Sequence, residues 1–379
     1  MSYLEKILDG ETVEWKPLDE YADYEQPTKY LVNSNNYNDN FQTPVLTAGK
    51  TFILGYTDET HGINEASKKP VIIFDDFTTA NKWVDFDFKA KSSAMKMITS
   101  KDESKASLKY IYYWLNTLPS DLGDGDHKRQ WISNYAKKLI PIPCPNNPKK
   151  SLETQQKIVA ILDSFTELTA ELTAELTAEL TARKLQYSYY REKLLICEES
   201  KVEWKTLREV GEIKRGVAFT KKQAVFGKFP VVANAAEPIS FHNEFNRNGE
   251  FIVVARSGAN AGLISYWNQE LFLTDAFSIH PNDSILNTKF AFYFLKKHQR
   301  EIHLMKEGSG VPHVRASDFE IYKIPILPLE EQERIVSILD KFDILTNSIS
   351  EGLPKEIELR KKQYEYYRDM LLTFKQPNV

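Results

Sequence analysis

A four-residue unit of Thr, Ala, Glu and Leu is iterated through the middle of the chain, between residues 165 and 183. Ala, Glu and Leu are strong helix formers, and the sequence has no Gly or Pro from residue 151 to residue 195. One continuous helix of about 45 residues is therefore predicted, about 65 Å long at 1.5 Å per residue. A helix of this length is typical of a spacer between domains.

The leucines of this run recur every four residues, whereas an α-helix turns once in about 3.6 residues. They therefore form a stripe that winds slowly around the helix, and such a stripe favours contact with a partner. The stripe comprises Leu168, Leu172, Leu176 and Leu180. Each unit adds about 6 Å, so gain or loss of a unit would change the distance that the helix spans. The alternative is a solvated helix that grew by repeat slippage.

The segments that flank this run recur later in the chain. Residues 155–165 recur at 332–342, and residues 183–195 recur at 360–372, both with a shift of 177 residues. The constant shift predicts two helical segments of equal length, which suits side-by-side packing. If the segments are antiparallel, the domains between them are related by a pseudo-two-fold axis. Pro354 lies inside the second segment, which is therefore either one kinked helix or two helices in series.

Each helical segment is preceded by a Pro-rich extended stretch and, before that, by a β-rich region with its own helices. The predicted fold class is α+β, with two α/β variable domains separated by long helices. The predicted divisions are residues 1–145 (a helix tail and the first variable domain), 146–200 (the central spacer helix), 201–323 (the second variable domain) and 324–379 (the C-terminal helical segment).

Composition limits the class of protein. A hydrophobic content of 42% indicates a globular chain, and no apolar run approaches the ~20 residues of a membrane span. The N-terminus lacks the features of a signal peptide, and two cysteines make no disulfide framework, so we expect a cytosolic protein. The net charge of -4 argues weakly against a free-standing nucleic-acid binder, although residues 205–323 carry more basic than acidic side chains. A partner could supply the missing positive charge.

A loop rich in small residues follows the predicted strand 251–255 of the second variable domain. Arg256 and Asn260 in this loop carry the hydrogen-bonding groups that read guanine and adenine edges. Basic residues elsewhere in the domain suit phosphates. The candidate DNA-binding residues of this domain are Lys214, Arg215, Lys221, Arg256, Ser257, Asn260, His313 and Arg315. The alternatives are an ordinary Gly turn, a solvated basic face and a hinge.

The first variable domain has a loop in the corresponding place, residues 75–81 after the predicted strand 71–74. The two loops differ although their surroundings are similar, a pattern that fits two modules reading different sequences. The polar run 33–40 is either a disordered loop tip or a contact surface. The candidate DNA-binding residues of this domain are Asn35, Lys50, Thr78 and Asn81.

Enzymatic motifs are weak. Asp75 with Asp87 and Lys89 loosely resembles the acidic layout of a metal-dependent nuclease, a pattern that ordinary strand and loop charges often produce. The sequence has no motif for amino methylation or for a phosphate-binding loop. His298 and His303 have no nearby Cys and are interpreted as helix-surface residues. No catalytic residue, metal site or cofactor is predicted in this chain.

The whole chain resembles the DNA-specificity subunit of type I restriction-modification systems. Two variable domains alternate with helical segments, each entered through Ile-Pro-Ile and followed by Gln-x-x-Ile-Val-x-Ile-Leu-Asp, and the iterated Thr-Ala-Glu-Leu unit occurs in one branch of that family. The resemblance implies that each variable domain reads one half of a bipartite, gapped site in double-stranded DNA. It also implies that the helices form an antiparallel coiled coil, in which residues 165–183 set the gap.

The resemblance further implies partners. Two modification (methyltransferase) subunits would dock on the helices, bind S-adenosylmethionine and methylate adenine, and restriction subunits using ATP and Mg²⁺ could join to translocate and cut. The residues expected in the coiled coil or against partners are Ile158, Leu162, Phe165, Leu172, Leu176, Tyr190, Ile335, Leu339, Phe342 and Tyr367. We favour a non-catalytic recognition subunit. The alternatives are a stand-alone DNA-modifying enzyme, either nuclease or methyltransferase, and a protein-binding scaffold.

Overall fold

The computed structural model divides the chain into two compact units, Met1–Ala174 with Glu358–Val379 and Glu175–Ile357. Among the described residues, no helix is long and apolar enough to cross a membrane. The residues described are 3–49, 51–119, 129–198, 200, 202–219, 225, 227–235, 237–308 and 310–375.

The first unit combines short strands with helices. Its helices are α1 (Tyr3–Leu8), α2 (Leu108–Leu115), α3 (Gln130–Ser133) and the N-terminal part of α4 (Pro148–Leu194). Its strands are β1 (Val13–Pro17), β2 (Ala22–Glu25), β3 (Thr43–Leu46), β4 (Ile53–Thr57), β5 (Val71–Asp75), β6 (Asn81–Val84), β7 (Lys89–Ala90), β8 (Met95–Ser100) and β9 (Leu139–Pro143). Short 3₁₀ helices lie at Leu18–Glu20, Pro27–Tyr30 and Tyr135–Lys137.

The strands of the first unit form three groups. An antiparallel sheet has the order β2-β8-β5-β6, a smaller sheet has the order β4-β3-β7, and β1 pairs with β9. Strand β5 is buried along its whole length because its alternating side chains enter two different cores. Ile72 and Phe74 pack in the core that contains residues of α2, and Ile73 packs in the core of the smaller sheet.

The second unit contains the C-terminal part of α4 and a second set of strands and helices. Its strands are β10 (Glu203–Thr206), β11 (Gly211–Arg215), β12 (Phe229–Val232), β13 (Ser240–His242), β14 (Glu250–Ala255), β15 (Ile264–Asn268), β16 (Phe272–Leu273), β17 (Ala276–Pro281) and β18 (Lys323–Ile326). Its helices are α5 (Leu207–Val210), α6 (Thr288–Lys297), α7 (Gln299–Leu304), α8 (Ala316–Glu320), α9 (Leu329–Asn347) and the start of α10 (Gly352–Leu372).

The second unit repeats the topology of the first. Its sheets have the orders β11-β17-β14-β15 and β13-β12-β16, and β10 pairs with β18. In both smaller sheets one pair is parallel, β3 with β7 and β12 with β16. Strands β5, β6 and β8 therefore correspond to β14, β15 and β17, and α2 corresponds to α6. The internal repeat that is visible in the helical segments extends to the variable domains, whose own sequences do not show it.

The two Pro-rich stretches are strands rather than linkers. Trp15 lies opposite Pro141 in the pair β1 and β9, and Trp204 lies opposite Pro325 in the pair β10 and β18. The tetrapeptide Val-Glu-Trp-Lys occurs at residues 13–16 and again at 202–205. In both places its Glu-Trp-Lys part pairs with the recurring Ile-Pro-Ile stretch. Prolines are tolerated here because each strand of a two-stranded ribbon has one edge free of ladder hydrogen bonds.

The predicted spacer helix is present as α4, a single helix of 47 residues. It begins at Pro148, where a missing N–H costs no intrahelical hydrogen bond. At 1.5 Å per residue it is about 70 Å long. The iterated run lies entirely within it, so the prediction of one continuous helix is confirmed.

The C-terminal segment is two helices in series, one of the two forms that its Pro left open. Helix α9 ends at Asn347 and α10 begins at Gly352, whose φ of +78° is in the left-handed region. A Cβ added at Gly352 would lie 2.4 Å from the carbonyl oxygen of Ile344, so only Gly fits this turn. Pro354 then falls in the first turn of α10, where it is tolerated.

Within each unit, α4 contacts a helix of the C-terminal segment. In the first unit the Phe165 ring lies 5.6 Å from the Tyr367 ring of α10, and in the second unit the Tyr190 ring stacks 5.6 Å from the Phe342 ring of α9. These four residues therefore take part in contacts between helices. The half-buried leucines of the iterated run include Leu172 and Leu176.

Four residues expected in the coiled coil or against partners are buried in cores that include their own variable domain. Ile158 and Leu162 are buried in the core that contains residues of α2, and Ile335 and Leu339 are buried in the core that contains residues of α6. This face of each helix carries the unit's own variable domain, and in the first unit the same core also contains Leu371 and Leu372 of α10. An apolar stripe cannot reveal from sequence which neighbour covers it.

Candidate nucleic-acid interface

Four of the predicted DNA-binding residues converge in the second unit. Arg215 at the end of β11, Arg256 after β14, and His313 and Arg315 before α8 line one cavity of about 600 Å³. They come from three separate parts of the chain. Guanidinium and imidazole groups that surround one space can bind base edges or phosphate oxygens.

Backbone hydrogen bonds hold the two loops of this cavity side by side. The N–H of Gly258 donates to the carbonyl oxygen of Pro312 at 2.9 Å, and the N–H of Val314 donates to that of Arg256 at 3.0 Å. Gly258 has a φ of +77°, which a residue with a Cβ rarely adopts. The glycine therefore allows the backbone of the loop between β14 and β15 to turn beside the segment before α8.

Asp275 organises the polar groups of this cavity. Its carboxylate accepts hydrogen bonds from the Ser257 hydroxyl and from the Asn234 amide, both at 2.6 Å, and lies 3.9 Å from the Arg256 guanidinium. Asp275 lies in the turn between β16 and β17 and has a φ of +39°. From this turn its side chain reaches Ser257 and Asn234. Sequence reasoning missed Asn234 and Asp275, because neither belongs to a motif and only the fold brings them beside Ser257.

Two further candidates of the second unit, Asn260 and Lys214, do not line this cavity. The Asn260 amide donates to the carbonyl oxygen of Asn234 at 2.9 Å, so one of its donor groups serves the fold. Lys214 is paired with Glu212 at 2.8 Å and is not among the cavity-lining residues. This separation follows from the strand, because neighbours in β11 point to opposite faces of the sheet. Lys221 and Lys50 lie outside the described residues.

The first unit has a different residue where the second has Arg256. The N–H of Asp76 donates to the carbonyl oxygen of Ala94, just before β8 (3.0 Å), and the N–H of Arg256 donates to the carbonyl oxygen of Asp275, just before β17 (3.4 Å). The carbonyl oxygen of Asp76 accepts from Gln130 (2.8 Å), as that of Arg256 accepts from Val314. These matching bonds make Asp76 the structural equivalent of Arg256.

Asp76 faces inward, whereas Arg256 is open to solvent. Asp76 is 1% exposed and forms an ion pair at 3.4 Å with Lys96, which is fully buried, while the Arg256 side chain is 62% exposed. The other Asp76 oxygen accepts from the backbone N–H of Trp131 at 2.9 Å. Burial lowers the pKa of Lys96, against the opposing effect of the Asp76 charge. The ion pair ties the β5–β6 loop to β8, and the hydrogen bond from Trp131 ties the same loop to α3.

The tip of the β5–β6 loop presents Phe77 and Thr78 to solvent. Asp75 holds the tip by accepting hydrogen bonds from both of their backbone N–H groups, at 2.9 and 3.2 Å. Asn81, expected in the loop, is the first residue of β6, and its side chain accepts from Asn116 at 3.0 Å. The loop is therefore shorter than the sequence indicated, because the ladder between β5 and β6 begins at Asn81.

The polar run 33–40 is held against the first unit by Glu59. The Glu59 carboxylate accepts from the backbone N–H groups of Asn33 and Ser34, both at 2.9 Å, and forms an ion pair at 2.7 Å with Lys89. The hydrogen bond from Lys89 is the largest of the effects that lower the pKa of Glu59 to about 2. Asn35 is exposed and accepts from Lys91. These contacts favour the contact-surface interpretation over a disordered tip.

The residues of the nuclease-like pattern have separate structural roles. Asp75 caps the loop tip, Asp87 accepts from Ser67, and Lys89 pairs with Glu59. Within the described residues, no cluster of His, Cys, Asp and Glu could hold a metal ion. The pattern is therefore explained by loop and strand contacts.

The family model of the type I restriction modification DNA specificity domain matches the chain twice, at residues 11–182 and 199–359. The chain belongs to this family. It is 52% identical over 403 residues to the type I restriction enzyme EcoR124I/EcoR124II specificity subunit of Escherichia coli, with 100% of this chain and 98% of that protein covered. A putative type I restriction enzyme specificity subunit of Haemophilus influenzae is 33% identical, with 98% of each chain covered.

Solved structures share the fold. A chain from a study of assembly and conformational transition of the type I R-M system matches with a TM-score of 0.63 at 18% identity, covering 95% of this chain and 97% of that one. The S subunit of a type I system from M. genitalium matches with a TM-score of 0.57 at 19% identity, covering 99% and 100%. The predicted α+β fold and the role of specificity subunit, rather than stand-alone enzyme, are confirmed by family membership.

Proposed function

We propose that each unit of this specificity subunit reads one half of a bipartite, gapped DNA site. The observation that carries this proposal is the repeated topology: the β5–β6 and β14–β15 loops occupy equivalent places but present different chemistry. A scaffold that repeats while its loop differs is suited to reading two unlike half-sites. Base identity is read by side chains in the grooves, and phosphate contacts fix the register.

The second unit reads its half-site through the cavity around Arg256. Exposed Arg256 can donate two hydrogen bonds to guanine, the commonest specific contact of arginine in the major groove. The Asp275 carboxylate lies 3.9 Å from the Arg256 guanidinium, and the Glu307 carboxylate lies 2.6 Å from the Arg315 guanidinium. These carboxylates pre-orient the guanidinium groups and reduce the entropy lost on binding. Arg215 and His313 supply further donors to bases or phosphates.

The first unit reads its half-site through a loop whose exposed side chains are uncharged. At the position of Arg256 it has the inward-facing Asp76, so the exposed groups of the loop are the Phe77 ring and the Thr78 side chain. An apolar ring in the major groove contacts the methyl group of thymine. Asn35 and Lys91 on the neighbouring surface add polar contacts.

Helix α4 is proposed to set the number of base pairs between the half-sites. Each four-residue unit of the iterated run lengthens the helix by about 6 Å and rotates the residues beyond it by about 40°. The step is comparable to one or two base pairs of DNA. The pairing of α4 with α10 in the first unit, and with α9 in the second, supports a stiff spacer.

Two modification subunits are proposed as partners on the helices. Tyr189 and Tyr366 hold equivalent places in the recurring helical segments, and both are exposed, as are Leu185 and Ile196. Exposed aromatic and aliphatic side chains of this kind suit a protein interface. These partners would bind S-adenosylmethionine and methylate adenine, and restriction subunits with ATP and Mg²⁺ would join them. The negative net charge of this chain is then compatible with DNA binding, because the partner subunits would also contact the DNA.

Mapping of methylated adenines tests this proposal. Cells that co-express the chain with its cognate modification subunit should carry methylation at one bipartite sequence, and the R256Q variant should alter only one half of it. If R256Q changes both halves equally, or if a stable complex methylates no defined sequence, the assignment of one half-site to each unit is wrong.

A further inference from the structure

The two ends of the recurring helix motif make identical contacts in both units. The motif Gln-x-x-Ile-Val-x-Ile-Leu-Asp begins with Gln155 on α4 and with Gln332 on α9, and both glutamines are fully buried. It ends with Asp163 and Asp340. Buried polar side chains are costly unless hydrogen-bonded, so their partners show what the motif does.

The glutamines bind the N-terminal ends of α2 and α6. The Gln155 carbonyl accepts from the backbone N–H of Ser107 at 3.0 Å, and the Gln332 carbonyl accepts from that of Asn287 at 2.8 Å. Ser107 and Asn287 are the N-cap residues of α2 and α6. The glutamine amide groups donate to backbone carbonyl oxygens just before these caps, at Lys105 (2.9 Å) and at Ile285 (3.0 Å).

The aspartates bind the same helices further along. Asp163 accepts a hydrogen bond from the Tyr113 hydroxyl and lies 3.4 Å from the Lys109 amine. Asp340 accepts from the Tyr293 hydroxyl at 2.6 Å and lies 2.6 Å from the Lys289 amine. Burial and the adjacent carboxylate raise the pKa of both tyrosines, so their hydroxyls stay protonated donors at neutral pH.

Each set therefore attaches the variable domain at two points along one helix. We call the set in each unit its domain anchor: Lys109, Tyr113, Gln155 and Asp163 in the first unit, and Lys289, Tyr293, Gln332 and Asp340 in the second. The glutamine and aspartate of each domain anchor are eight residues apart, about 12 Å along the helix. Two attachments at this separation fix both the tilt and the rotation of the domain on its helix.

We infer that the domain anchors are positioning elements that restrict the complex to one gap length. This inference rests on the proposed function, in which the half-site separation depends on where each domain sits on its helix. A spacer of fixed length does not by itself fix the distance between the half-sites if a domain can tilt on its helix. The anchors recur in two domains whose DNA-facing loops differ, which matches a role common to both half-sites rather than a role in reading bases.

The test is the gap selectivity of Y113F and Y293F in the complex with the modification subunit. Each substitution keeps the ring and removes the hydroxyl that Asp163 or Asp340 accepts. Adenine-methylation mapping should find the same two half-sites, with the ratio of methylation at neighbouring gaps to that at the original gap raised about tenfold. D163N and D340N, which preserve shape but remove the charge, should act in the same direction.

Y110F is the matched control. Tyr110 is also on α2, but its hydroxyl donates to the carbonyl oxygen of Pro141 in β9, at 2.7 Å, and not to a residue of α4. The equivalent residue of α6 is Phe290. Y110F should leave the ratio within about twofold of the original.

Three outcomes separate the inference from the proposed function. A raised ratio for Y113F and Y293F, but not for Y110F, supports it. If both anchor variants lower methylation at all gaps alike, so that the ratio is unchanged, the anchors only stabilise the fold and the inference is wrong. If the unmodified chain directs methylation to no bipartite site, the proposed function itself is wrong, and the inference falls with it.

Discussion

The two variable domains show how one scaffold carries two kinds of recognition surface. At equivalent positions after β5 and β14, the first unit has Asp76 turned into the protein against Lys96, and the second has Arg256 turned toward solvent against Asp275. The matching backbone hydrogen bonds keep both loops in the same place. A single position is therefore buried in one unit and exposed in the other, where it is proposed to contact DNA. Equivalence of place does not imply equivalence of role.

The largest expected effect concerns the buried pair of the first unit. D76A leaves the Lys96 amine buried without its counter-charge, which typically costs about 3–5 kcal/mol in free energy of unfolding. R256A in the second unit removes an exposed pair and should cost less than about 1 kcal/mol. Urea unfolding of the full chain measures both. Equal losses would show that the contrast in burial between the two positions has no energetic consequence.

In the first unit, the Glu59 carboxylate also holds the polar run 33–40. The pKa of Glu59 is lowered to about 2 from its ordinary value of 4.5, so its contribution to stability is complete above pH 4.5 and is lost as pH falls toward 2. E59Q should lower the free energy of unfolding by about 2 kcal/mol at pH 7. The difference between the original chain and E59Q should shrink between pH 4.5 and pH 2. A difference independent of pH over that range would contradict the assignment.

The R256Q variant tests whether Arg256 contacts DNA. R256Q should weaken binding of DNA that carries the second half-site by about 10- to 100-fold, because a bidentate guanine contact is worth about 1–3 kcal/mol. Titration of the assembled complex with labelled duplex measures this. The matched control is R334Q on α9, an exposed arginine that also pairs with a glutamate, at 2.6 Å from Glu331. Similar losses for both variants would indicate a general charge effect rather than base reading.

The smallest effect concerns the uncharged loop of the first unit. F77A removes the apolar group that is 41% exposed at the loop tip and should weaken binding about fivefold, only for DNA that carries the first half-site. Replacing thymine by uracil in that half-site should produce a similar loss for the original chain and little further loss for F77A. Additive losses would show that Phe77 does not contact a thymine methyl.

The sequence predicted the helical framework well and the polar site only in part. The iterated run, free of Gly and Pro, determined one continuous α4, and the constant shift between the flanking motifs indicated the duplicated topology. Arg256 was recognisable because it directly follows a strand, and His313 because it lies in a loop that contains Gly and Pro. Asp275, Asn234 and the burial of Asp76 were not, because these contacts join residues far apart in the chain. The apolar face of Ile158 was visible, but which neighbour covers it depends on the tertiary fold.

In the proposed function, two reading units are joined by a spacer whose length sets the gap. Deleting one four-residue unit, residues 170–173, shortens α4 by about 6 Å while leaving both variable domains intact. Adenine-methylation mapping should then find both half-sites unchanged with a shorter gap, and the length-conserving variant E171Q should keep the original gap. An unchanged gap after the deletion, or a change in either half-site, would contradict the account.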